Sequence, residues 1–287
     1  MSSSTTPRVR APQPARPAAV PVSRRTAAVL VVAGVAGLLM LLWPLLLDAP
    51  AGERVDPPFV FLVLLPVVVA VVLAEVSEGG LDPRVLAVLG VLSAVVAVVR
   101  GVSPGTGGVE LVFFLIILAG RVFGPGFGFV LGCTSLFASA LLTAGVGPWL
   151  PFQMICSAWV GMGAGLLPRR VTGRGELVLL AVYAAVAAYV YGLLMNLSSW
   201  PFLTGVYVPG QELQLAFEPG APVLENLHTF VVYTLLTSTA GWDTVRAVTN
   251  VVAVLVLGPA VLTTLRRAAR RSLVTGRVAP AEVAPQG

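Results

Sequence analysis

Arg100, Trp149, Phe152, Gln153, Asn196, Trp200, Tyr233 and Asn250 carry most of the binding chemistry found near the apolar stretches of this 287-residue chain. They supply three amides, four aromatic rings and one guanidinium. That set suits ligand recognition: amides hydrogen-bond, rings form flat apolar walls, and a cation meets an anionic or carbonyl group. It does not suit bond breaking, which needs positioned acids, an activated nucleophile or a metal. Each residue also has a plainer use. Trp149 and Trp200 suit anchors in a membrane-interface belt. Gln153 and Asn196 suit interhelical hydrogen bonds. Arg100 suits a lipid phosphate or a helix C-terminus. Their gathering towards one side of a membrane favours a shared pocket.

The elements that must position them are membrane spans. Apolar residues make up 57% of the chain and charged residues 11%, against about 25% charged in a soluble domain. All 18 cationic residues are arginine, and 15 of them fall in alternate gaps between apolar stretches. Only Arg54, Arg100 and Arg246 break the alternation, while acids such as Glu110, Glu218, Glu225 and Asp243 fill the opposite gaps. The positive-inside rule produces this pattern in a polytopic membrane protein. The net charge of +5 is therefore a cytoplasmic-face bias and not a nucleic-acid signal.

Eight spans fit: 27–47, 59–76, 84–99, 109–120, 126–143, 150–167, 176–197 and 244–265. Both termini are then cytoplasmic. Residues 1–26, rich in Ser, Pro and Arg, are expected to form a disordered cytoplasmic tail. An N-terminal transmembrane hairpin covers 27–76, a core covers 84–267, and 268–287 form a basic cytoplasmic tail. The first run, 21 residues, is too long for a signal-peptide core, although Ala49-Pro50-Ala51 imitates a cleavage site. Stretch 109–120 is short and must be tilted, thinned against or buried among neighbours. Stretch 228–240 is too short to span and would break the charge rule, so it reads as a re-entrant or surface helix. It belongs to a long outer loop, 198–243, whose tyrosines argue for an ordered lid.

Small residues recur four apart at Gly120, Gly124, Gly128 and Gly132, and at Gly161 and Gly165, which predicts close helix packing. On the third span, Gly90 with Ala94 and Ser93 with Ala97 form the best candidate face for docking another membrane subunit.

Absences narrow the function. Without lysine there is no Walker A motif and no Schiff base. One histidine, His228, excludes the two-histidine zinc helix of metalloproteases. There is no GxSxG elbow. Gly161-Met162-Gly163-Ala164-Gly165 lies within an apolar span and follows no strand, so it is not a nucleotide loop. The span interiors hold almost no ionisable groups, which disfavours proton-coupled pumping. Cys133 and Cys156 read as packing residues, and no metal site is expected.

Residues 145–168, GVGPWLPFQMICSAWVGMGAGLLP, resemble the substrate-binding (S) component of energy-coupling factor vitamin transporters. The stretch 116–120, followed by Arg121-Val122-Phe123-Gly124, supports the resemblance, as does the 84–100 span ending at a Gly-rich loop. The likeness covers about 84–271. It implies an all-α six-helix bundle, here preceded by an extra two-helix hairpin, with a vitamin site near the extracellular face of the plasma membrane. It also implies a transmembrane T component and two cytoplasmic ATPases as partners, which would use the ATP; no cofactor is expected in this chain. The family's alanine-rich docking motif is only partly matched by Gly90, Ser93, Ala94 and Ala97. On this reading the chain is not an enzyme. Loops 101–108, 145–149 and 198–243 would close over the ligand. Trp149, Phe152, Trp200 and Tyr233 would form its walls, Gln153, Asn196 and Asn250 would hydrogen-bond it, and Arg100 would pair with an anionic or carbonyl group. The long lid suggests a large ligand, first cobalamin or a related corrinoid, then riboflavin, thiamine-related pyrimidines or queuosine precursors. A polytopic membrane enzyme and a structural membrane subunit are the alternatives.

Overall fold

A computed structural model describes residues 18, 20, 22–46, 83–102, 106–202 and 215–275, and every regular element among them is helical. Two helices come from the N-terminal region: α1 (Arg24–Leu41) and the single turn α2 (Trp43–Leu46). Then follow α3 (Pro83–Val102), α4 (Val112–Phe123), α5 (Pro125–Leu142), α6 (Leu150–Leu166), α7 (Arg174–Ser199), α8 (Val223–Thr234) and α9 (Thr244–Thr275). Five helical stretches are long and apolar enough to cross a membrane, and α4 and α6 are shorter apolar helices. The second span of the expected hairpin, 59–76, lies outside the described residues, as does most of the inner loop 77–83.

The short helix is the centre of the bundle. All 12 residues of α4 are buried, and its length of about 18 Å is little more than half a bilayer core. It is covered by α5, α6, α7 and α9, with α3 also touching it. Of the expected ways to accommodate a short span, burial among neighbours is the one adopted. The chain reverses from α4 into α5 at Gly124, whose φ of 115° excludes most other residues, and Pro125 starts the next helix at once.

Close backbone approach holds α4, α5 and α6 together. A Cβ on Gly120, Gly128 or Gly161 would collide with backbone of a facing helix, and one on Gly132 would meet the backbone of Ser157 and Ala158. Lipid is as apolar as these surfaces, so van der Waals contact is what association gains. The glycine stripes thus pack the chain against itself.

The four small residues of α3 divide. Ser93 and Ala97 face inward; Ala97 is fully buried and the Ser93 hydroxyl lies 2.7 Å from that of Thr134 on α5. Gly90 and Ala94 face outward, and none of the described residues lies within 4 Å of a Cβ built at Gly90. A face on the outside of the bundle therefore includes Gly90 and Ala94 but not Ser93 and Ala97.

The structure also differs from the sequence expectation at 228–240. This stretch is neither re-entrant nor a separate surface helix. It belongs to α8 and a nine-residue π-helical segment (Leu235–Asp243) that runs directly into α9. No proline or turn interrupts the junction, and the Thr244 hydroxyl reaches across it to donate to the Thr239 carbonyl at 2.7 Å.

One end of the bundle carries Arg121, Arg169, Arg170, Arg174 and Arg266 and is called the arginine-rich end. Residues 100, 139, 153, 198 and 246 mark the far end.

Candidate ligand-binding site

At the far end three charged side chains meet in the bundle. Arg246, near the start of α9, donates from Nε to Glu110 Oε2 at 2.8 Å and from Nη1 to Asp243 Oδ1 at 2.6 Å. Its guanidinium also lies 5.1 Å from the centre of the Tyr191 ring. The second Asp243 oxygen accepts from the Ser238 hydroxyl at 2.9 Å, a contact the π segment allows by placing residues five apart on one side. Asp243 fits against α7 only because residue 192 is glycine; a Cβ there would strike its carboxylate. Buried charges need such pairing. The expectation of almost no ionisable groups within the spans holds less well here, since Glu110, Asp243 and Arg246 are all buried.

This cluster forms one wall of a cleft of about 260 Å³ between α7 and the π segment. Asn196, Met195 and Gly192 line it from α7; Tyr233, Thr237, Ser238 and Trp242 face them. The charged groups of the cleft wall are paired with one another. The Asn196 amide nitrogen is buried and has no hydrogen-bond partner among the described residues. Such a group is costly unless something completes it. A neighbouring apolar hollow of about 220 Å³ is lined by Pro44, Leu45, Leu197, Trp200, Phe217 and Phe230, among others. Trp200 is almost wholly buried, donates its indole N–H to the Leu215 carbonyl at 2.8 Å, and stacks near Tyr233 at 6.4 Å.

The remaining residues singled out in the sequence lie elsewhere. Arg100 and Gln153 do meet: Arg100 donates to Gln153 Oε1 and to the Ser139 hydroxyl, both at 3.1 Å, joining α3, α5 and α6. Phe152 is buried in the main core, and Trp149 is half exposed beside Gly147. Asn250 has another task. Its oxygen accepts the Phe114 N–H at 2.8 Å, and its nitrogen donates to the carbonyls of Glu110 and Arg246. It thereby caps the start of α4, whose own preceding residue offers no side-chain cap. Asp243, Ser238, Thr237, Trp242 and Glu110 were not among the candidates. The available signal was Arg246, one of three arginines outside the alternation, with acids close to it in sequence and in the facing gap.

The arginine-rich end is built differently. Arg121 donates to Glu176 at 2.9 Å and to the carbonyls of Leu167, Pro168 and Val171. Glu176 in turn receives Arg266 on both oxygens at 2.7 Å. Among the described residues no group of three His, Cys, Asp or Glu could hold a metal ion.

An all-helical bundle of long apolar helices, with a buried ion network at each end and a polar cleft at one of them, has the form of a multi-pass membrane protein. The particular family follows from the chain itself: residues 84–257 match the model of the ECF transporter, substrate-specific component, and the chain belongs to that family. The match leaves the N-terminal helices outside it. No curated protein and no solved structure matches the chain. The family is a transporter component and not an enzyme family, and it implies association with a T component and ATPases in a membrane.

Proposed function

We propose that the chain captures a vitamin-sized solute in the far-end cleft and passes it to a transmembrane T component driven by two ATPases. The observation that carries this reading is the unpaired, buried Asn196 amide on a polar cleft whose charged wall is otherwise paired. A ligand acceptor would complete it, with Tyr233 and Trp242 as aromatic walls and Ser238 and Thr237 as hydroxyl partners. Trp200 would hold Tyr233 in place, while Arg100 and Gln153 would brace the neighbouring helices.

The arginine distribution supports placing the arginine-rich end in the cytoplasm and the far end outside. Ligand size is the second point. The two hollows, about 260 and 220 Å³, fall below the ~300–1,000 Å³ of drug-sized sites. This favours a small heterocycle, of pyrimidine size, over the corrinoid that the long loop suggested.

The test is mass spectrometry of small molecules retained by the protein purified in detergent, followed by uptake of the identified compound in cells. Retention of one vitamin-like compound, with uptake only when T component and ATPases are co-expressed, is the expected result. A protein that retains nothing and supports no uptake of any vitamin would overturn the reading.

A further inference from the structure

The N-terminal helices lie outside the stretch that matches the family, yet they run the length of the bundle. Near the arginine-rich end the Val20 N–H donates to the Phe123 carbonyl at 2.9 Å. In the middle, α1 lies on α6, and Gly37 is the residue that lets it; a Cβ there would strike Ile155. At the far end the contacts become specific. Trp43 is buried, its indole N–H donates to the Ser198 carbonyl at 3.1 Å, and its ring stacks on Phe202 at 5.3 Å and 9°. Ser198 lies in the last turn of α7, where carbonyls lack helical partners, so Trp43 caps that helix from outside. Leu42 and Leu45 pack on the satellite cluster of Leu197, Trp200, Leu215, Phe230 and Tyr233.

We propose that this N-terminal segment is a strap that pins the far-end cap, residues 197–202 and 215–230, with Trp43 as its positioning residue. Contacts run from Trp43 to Ser198 and Phe202, the turn Trp200–Phe202 carries them to Trp200, and Trp200 stacks on Tyr233 at the cleft. The cap can open only by breaking the Trp43 contacts or by carrying α2 with it. Resting on the ligand site proposed above, the strap would set how fast the solute enters and leaves. The extra helices would thus add a control that the matched stretch does not itself contain.

The test compares wild type, Trp43→Ala and Trp43→Phe, each purified as the full chain in detergent. The first readout is hydrogen–deuterium exchange of the ligand-free protein. Loss of a buried hydrogen bond and a ring stack should speed exchange in 197–202 and 215–230 by roughly tenfold or more in Trp43→Ala. Trp43→Phe keeps a ring for Phe202 and loses the N–H, so it should fall between; it also carries the test if Trp43→Ala does not fold. Residues 150–166 should stay protected in all three. Equal cap protection in the variants would overturn the strap, as would loss of protection throughout the bundle. The second readout is release of the co-purified small molecule, which should be faster in both variants. Faster cap exchange with unchanged release would overturn the link to binding. A wild type that retains no small molecule would count against the proposed function alone, because the exchange readout needs no ligand.

Discussion

The two ends of the bundle use the same three-charge arrangement to opposite effect. At the arginine-rich end Arg121 and Arg266 share Glu176, and Arg121 spends its remaining donors on the carbonyls of Leu167, Pro168 and Val171. Three helices and a loop are tied into one knot. At the far end Glu110 and Asp243 share Arg246, and the cluster borders a cleft in place of a loop. One end has two cations per acid; the other has two acids per cation, with an amide nitrogen left unpaired nearby. Burial of ions is therefore no guide to function by itself. What distinguishes the ends is whether the surrounding polar groups are already satisfied.

The comparison breaks most visibly at its tightest point. Arg121→Ala removes one of the two cations on a buried carboxylate, leaving Arg266, and strands three carbonyls. A loss of at least about 1–3 kcal/mol is expected from the stranded groups, read as a lowered unfolding midpoint in detergent, with the far-end cleft still competent in whatever protein remains folded. An unchanged midpoint would mean that the arginine-rich end is not a lock.

Asn250→Ala comes next. It uncaps α4 at the Phe114 N–H and should cost about 1–3 kcal/mol in stability. Asn250 and Asn196 are both amides near the far end, so this variant separates a structural amide from a binding one. If Asn250→Ala left stability untouched and abolished ligand binding, the two roles would be exchanged.

The span pattern was legible in the sequence because bilayer thickness sets helix length and arginine placement follows the membrane face. Residues 112–123, 125–142 and 150–166 became helices close to where apolar length placed them. Rotation about each helix axis was not legible. Gly90/Ala94 and Ser93/Ala97 have the same four-residue spacing, yet one pair faces out and the other touches α5, a choice set by tertiary packing. The pairing of Arg246 with Glu110 was hidden for a related reason: the two are 136 residues apart and meet only because α4 is buried at the centre. Continuity of α8 with α9 was missed because 228–240 was judged by its length and by the charge rule, while the π segment that joins it to the last span has no composition signature.

The smallest expected effect on stability lies on the open face of α3. Gly90→Leu with Ala94→Leu should leave the unfolding midpoint unchanged, because both positions are exposed and a Cβ at Gly90 has none of the described residues within 4 Å. Association with the T component, read by pull-down, should weaken if close helix approach occurs there. Normal association would make this face merely lipid-facing.

Asn196→Ala tests the central claim most directly. The substitution deletes a buried amide nitrogen that has no partner among the described residues, so the ligand-free protein should be as stable as wild type. Binding of the co-purified small molecule, measured by titration, should weaken by roughly 5- to 150-fold, the equivalent of about 1–3 kcal/mol. Weaker binding with an unchanged unfolding midpoint is the result the account predicts. Binding as tight as wild type, or a fall in stability large enough to explain the loss, would contradict it.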